Sequence, residues 1–148
     1  MEIVIYTDGS CQNNPGPGGW AAIIILDNIK KKIFGGEKLT TNNRMELTAA
    51  IKSLEYCESQ INKQLVLEHI KIFTDSNYVK DGITLWIKDW ERNNWKTSSK
   101  KNVKNVDLWK KLKELTNSKS IEWNWVKGHS NNAMNNLADK LAKEATPI

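Results

Sequence analysis

The stretch EIVIYTDGSCQNNPGPGGWAAIIIL, residues 2–26, holds two near-continuous apolar runs, at 2–7 and 20–26. Runs of this length and β-branched content read as strands covered on both faces. The first ends in Asp8-Gly9-Ser10, and the second begins only after Pro15-Gly16-Pro17-Gly18-Gly19, a cluster whose composition predicts a loop. Outward from this pair, residues 30–38 read as a third, edge-like strand with its lysines outward. From Asn43 the period changes to 3.6, with Leu47, Ala50, Ile51 and Leu54 on one stripe of a helix reaching Glu58. HIKIFTD, residues 69–75, is a short strand that ends, like the first, in Thr-Asp. Helices are expected over 76–92 and 106–116, then a strand over 120–126, the loop KGHSNN and a last helix from Met134 to Ala145. Five strands in this order predict an α/β fold, a mixed sheet flanked by helices. Ligands of such sheets tend to bind beyond the carboxyl ends of the strands.

A length of 148 residues suits one domain, and no Ser/Pro/Gly-rich linker divides the apolar segments, so 1–148 is expected to be a single unit. No run of 18 apolar residues occurs, and the first strand leaves no room for a charged leader, so the sequence predicts a cytoplasmic protein with no membrane partner. Cys11 and Cys57 lack zinc-type spacing and read as unpaired thiols. The net charge of +5 is concentrated: between Trp86 and Lys113 nine basic side chains face three acidic ones. That segment is either a solvated helical face or a grip for a polyanion, since neutralising phosphates releases counterions. Four of the seven tryptophans fall there too, which favours nucleic acid, although Trp86 and Trp90 are one helical turn apart and also fit a packed stripe with Ile83 and Ile87.

Four acids stand out by position: Asp8 and Asp75 just past strand ends, Glu46 in the first turn of a helix, and Asp139 on the last helix. Each has an ordinary explanation. Asp8-Gly9 is turn chemistry, Asp75 a cap for the next helix, Asn43-x-x-Glu46 the spacing of a capping box, and Asp139 an i,i+4 partner of Lys143. Taken together, two strand ends on one rim bring distant acids into one cluster. Unneutralised carboxylates in contact repel and raise one another's proton affinities, a cost tolerated for a metal. All-oxygen ligation selects hard cations such as Mg²⁺ or Mn²⁺, which in pairs serve in-line displacement at phosphorus. An acidic cluster beside a basic segment thus suggests a nuclease.

The blocks YTDGSCQNNPGPGGWAA, TTNNRMELTAAI, TDSNYVKDGI, WKTSSKKNVKNVDLW and WVKGHSNNAMNNLADKLA resemble type 1 ribonuclease H of the bacterial kind, in family order and over nearly the whole chain. The resemblance implies a ribonuclease H-like fold with a basic protrusion at about 86–105. It also implies a monomeric, metal-dependent endonuclease that hydrolyses the RNA strand of RNA/DNA hybrids, leaving 5′-phosphate and 3′-hydroxyl ends. By similarity Asp8, Glu46, Asp75 and Asp139 would hold two Mg²⁺ ions, with Mn²⁺ as a substitute. Asp8 would bridge them, Asp139 would help hold the ion that activates water, and Glu46 and Asp75 the ion facing the leaving oxygen. His129 would assist proton transfer or product departure, a task that suits a pKa near neutrality. The backbone around Cys11, Gln12 and Asn14, with Glu46, would read 2′-hydroxyls, which alone distinguish RNA from DNA. Asn14, Asn42 and Asn43 match minor-groove contacts, Thr41 and Asn105 a DNA-phosphate pocket. Lys88, Trp90, Arg92, Lys96, Lys100, Lys101 and Lys104 fall in the protrusion that grips DNA.

The chain also departs from the family pattern. Asn13, Asn94 and Asn131 stand where glycine is usual, which predicts positive φ at each. Leu39 replaces a basic residue beside the phosphate pocket, where Lys38 is a candidate substitute, and Asn102 replaces a proline in the protrusion.

Overall fold

The computed structural model describes residues 2–61, 69–117, 119–128 and 132–147. Strands β1 (Ile3–Cys11), β2 (Gly16–Leu26) and β3 (Ile29–Thr40) form an antiparallel meander. Helix α1 (Asn42–Gln60) leads to β4 (Ile70–Thr74), and β5 (Ile121–Trp125) follows later in the chain. Both β4 and β5 join in parallel, so the five-stranded sheet has the order β3-β2-β1-β4-β5. The remaining helices are α2 (Asn77–Asp81), α3 (Ile87–Arg92), α4 (Val106–Thr116) and α5 (Ala133–Ala145).

Alternation along β1 explains the core. Ile3 and Ile5 are wholly buried and join Ile70 and Ile72 of β4 against Leu47, Ala50 and Leu54 of α1. Each of these isoleucine and leucine side chains removed from water contributes about 1.5–3 kcal/mol. Trp109 and Leu112 of α4 extend the same core. Among the described residues no helix is long and apolar enough to cross a membrane.

Three boundaries differ from the sequence reading, one of them the end of β1, which runs on to Cys11. The segment 76–92 is not one α-helix: a π-helical turn, Gly82–Trp86, separates α2 from α3. A Cβ on Gly82 would overlap the indole of Trp109, so the turn lies where the backbone must pass closest to the core's largest side chain. The expected Pro/Gly loop is also much shorter, because β2 already begins at Gly16 and pairs through Gly18 and Gly19 with Cys11 and Ser10. Gly19 is in the strand for a packing reason, since a Cβ there would collide with the carbonyl oxygen of Ala142 on α5. Positive φ is found at Asn13 (57°) and Asn94 (52°), as their replacement of glycine predicts, while Asn131 lies outside the described residues.

Candidate active site

Asp8 does not follow a strand end. It lies within β1, paired with Ala21 of β2, while Asp75 follows β4, the parallel neighbour of β1 on its other side. Two central strands thus deliver two acids to one rim. Glu46 reaches them because of Gly9, whose missing side chain lets α1 settle on the sheet: a Cβ at Gly9 would overlap the backbone nitrogen of Glu46. The capping roles belong elsewhere. The N-cap of α1 is Thr41, whose hydroxyl accepts from the Arg44 amide at 3.2 Å, so Asn43 and Glu46 form no capping box. Helix α2 is capped by Ser76, which accepts from the Val79 amide, rather than by Asp75.

Ligand oxygens of Asp8, Glu46 and Asp75 all lie within 4.8 Å of one another. Asp8 and Glu46 are only 2% and 5% exposed, and Asp8 Oδ2 and Glu46 Oε2 have no hydrogen-bond partner. A buried acceptor without a donor costs about 1–3 kcal/mol, and a charged one more. Burial, reinforced by the charge of Asp75, raises the Asp8 carboxyl from 3.8 to about 8. Burial also holds Glu46 well above its ordinary value, with the charges of Asp8 and Asp75 adding to the effect. These unsatisfied, mutually repelling oxygens are what a hard divalent cation would satisfy. Asp139, on α5, lines the same cavity of about 440 Å³, which Gly9, Ser10, Asn42, Asn43, Tyr78 and Lys143 also border. Its Oδ2 pairs with Lys143 Nζ at 3.0 Å, as its i,i+4 spacing predicts, and it borders the cavity without belonging to the tight trio of Asp8, Glu46 and Asp75. His129 lies outside the described residues.

The expected substrate contacts divide into two groups. Beside the cavity, Asn14 accepts from the Asn42 amide at 2.9 Å and ties the β1–β2 connection to the start of α1, while Gln12 and Asn43 are exposed. Asn105, at φ 60°, donates to the Tyr78 hydroxyl and accepts from Arg44, which also pairs with Asp107 through both guanidinium nitrogens. That pairing holds the Asp107 carboxyl below its ordinary value. Arg44 escaped the sequence reading. Its signal was a lone arginine two residues before Glu46, on the turn capped by Thr41. Leu39 is 75% exposed.

In the protrusion, the tryptophans and the cations separate. Trp90 packs between Trp86 and Trp109, with ring centroids 5.9 and 5.3 Å away, so its main contacts are to the core, and Lys110 lies 5.6 Å over the Trp95 ring. Lys88, Lys100, Lys101 and Lys104 stay exposed, Arg92 pairs with Asp89, and Lys96 donates to Asn102.

Comparison with known proteins agrees with this arrangement. The RNase H family model matches residues 1–146. The chain is 51% identical over 144 residues to Ribonuclease H of Wolbachia pipientis wMel, covering 97% of this chain and 94% of that one. It is 50% identical over 143 residues to Ribonuclease H of Francisella tularensis subsp. novicida (strain U112), covering 97% and 90%. Among solved structures, LC9-RNase H1, described as a type 1 RNase H with the type 2 active-site motif, superposes with a TM-score of 0.85 at 30% identity, over 97% of this chain and 71% of that one. LC11-RNase H1 in complex with RNA/DNA hybrid shares the fold, with a TM-score of 0.74 at 22% identity over 97% and 95%. A family model spanning almost every residue, and relatives half identical over nearly their full lengths, place this chain in the RNase H family.

Proposed function

We propose that this chain is an endonuclease that hydrolyses the RNA strand of RNA/DNA hybrids, with Asp8, Glu46, Asp75 and Asp139 holding two divalent cations, Mg²⁺ or Mn²⁺. The observation that carries the reading is the trio of carboxylates within 4.8 Å, two of them with buried oxygens that lack any donor. Held by these carboxylates, the cations would make hydroxide available near neutral pH and neutralise charge on the leaving oxygen, and the products would carry 5′-phosphate and 3′-hydroxyl ends.

The chain's own groups do the rest. Asp8, fixed on one side by its pairing with Ala21 of β2 and one residue beyond the last β1–β4 pair, Thr7 with Thr74, sets the origin of the site. Glu46 and Asp75 close round it from α1 and from the end of β4. Thr41, Asn105 and Arg44 stand together as a polar station for a DNA phosphate, and Gln12, Asn14, Asn42 and Asn43 border the groove where a minor-groove edge with its 2′-hydroxyls would lie. Lysines of the protrusion hold the DNA strand at a distance from the chemistry. His129 assists proton movement or product departure. The working unit is a single cytoplasmic domain, acting as a monomer.

The test is a labelled RNA strand presented alone, in an RNA duplex and in an RNA/DNA hybrid, each with Mg²⁺ and with EDTA. Cleavage of the hybrid alone, lost in EDTA, is the expected result. No cleavage with hybrid binding intact would instead identify a binding module that has kept the fold and lost catalysis.

A further inference from the structure

The four acids of the cavity are not equivalent. Asp8, Glu46 and Asp75 share one tight cluster, whereas Asp139 stands outside that set with its Oδ2 3.0 Å from Lys143 Nζ. Among the described residues, Lys143 is the only cationic side chain that lines the cavity. The root of this pair is fixed: Ala138 and Ala142 are fully buried, and the α5 backbone at Ala142 rests on the bare Cα of Gly19. Gly19 lies two residues before Ala21, the strand partner of Asp8. The turn bearing Asp139 and Lys143 is therefore held in register with the strand that carries Asp8. The same helix supplies an internal comparison, because Lys140 and Glu144 also stand at i,i+4, 3.9 Å apart, with both side chains more than half exposed and neither lining the cavity.

We infer that Lys143 is a positioning residue for Asp139, a tethered cation that holds this carboxylate at the cavity rim and competes with a divalent cation for it. The inference rests on the metal-site reading proposed above. In the free protein the ammonium compensates one charge of a crowded acidic set, and it weakens cation uptake at the corner that Asp139 shares with Asp8, while the Glu46 and Asp75 corner is left to the stronger class of site. Arginine at 143 would keep the charge and methionine would remove it at similar length, so the two substitutions separate charge from packing.

The experiment is a Mn²⁺ titration of the metal-free full chain, with free Mn²⁺ followed by electron paramagnetic resonance, on wild type, Lys143→Met, Lys143→Arg and Lys140→Met. The expected result is two classes of site in wild type, with the weaker class tightening about fivefold in Lys143→Met, the upper range for a partly exposed ion pair. The stronger class should be unchanged, and Lys143→Arg and Lys140→Met should both follow wild type. Circular dichroism checks that each variant is folded. Equal Mn²⁺ binding in all four proteins, weaker binding in Lys143→Met, or an equal shift in Lys140→Met would each overturn the inference while leaving the metal reading intact. Wild type that takes up no Mn²⁺ would overturn both.

Discussion

The acidic cavity and the basic protrusion are built on opposite terms. In the cavity, acids are drawn from four separate segments, the middle of β1, the second turn of α1, the end of β4 and the face of α5, and two of them, Asp8 and Glu46, are buried. In the protrusion, charges of the other sign lie on one contiguous, mostly exposed segment, while Trp90 turns inward to anchor it through Trp109 and Trp86 stays 40% exposed. Accuracy is needed in one and not in the other. Chemistry at a phosphodiester demands placement to a fraction of an ångström and therefore a shared rigid frame. Gripping a polyanion needs only a local excess of cations on a surface.

The most severe trial of this contrast is Asp8→Asn. Cleavage should fall by at least about 10³-fold, the scale on which loss of a central electrostatic group acts. Hybrid binding through the protrusion should persist, as a gel-shift assay would register. The metal-free variant should melt no lower than wild type, since one charge of a crowded buried set is gone. Strong destabilisation would instead reveal a structural duty for Asp8.

Next in size is Gly9→Ala, which adds a Cβ where the Glu46 backbone lies. Displacing α1 by even an ångström should cut kcat by about 10²-fold. A variant with wild-type kcat would show that Glu46 tolerates movement and that the frame is looser than its packing implies.

Charge removal in the protrusion should act differently. Changing Lys100 and Lys101 together to Ala should raise KM for the hybrid and leave kcat unchanged. For each phosphate that is no longer neutralised, the slope of log affinity against log salt should flatten by about 0.9. A fall in kcat with KM unchanged would mean that these lysines reach the chemistry after all.

Weakest of the four is a pH dependence of stability confined to the cavity. Because the native state holds the Asp8 proton up to about 8 while the unfolded chain releases it near 3.8, the folded form binds more protons between those limits. Stability of the metal-free protein should therefore be greatest below about pH 4 as far as this group is concerned, and decline as pH rises towards 8. Thermal melts in EDTA across that range would show it. Asp8→Asn should flatten the trend, and a rising profile in wild type would contradict it.

Much of this was legible in the sequence, because period and strand chemistry are local signals. The apolar runs, the 3.6-residue stripe of α1 and the four acids could all be found from spacing and motif. What stayed hidden depends on contacts between distant segments. Gly18 and Gly19 look like turn residues, yet they belong to β2, and Gly19 is kept bare by the α5 backbone. Glu46 has capping-box spacing with Asn43, but Thr41 takes the cap two residues earlier and leaves Glu46 to be buried. Arg44 carried no local pattern at all, and only the folded chain brings it to Asn105 and Asp107 across 61 and 63 residues.

The place of β1 in the middle of the sheet also governs how the protein fails. Its residues 4–7 are paired with β2 on one side and β4 on the other, and Asp8 continues the pairing with β2, so the peptide groups leading into Asp8 should be among the slowest to exchange with solvent deuterium. Partial fraying at the edge strand β3, or in the protrusion, leaves that segment closed. Loss of the acidic cavity on heating should then coincide with global melting, whereas the protrusion is free to loosen at lower temperatures.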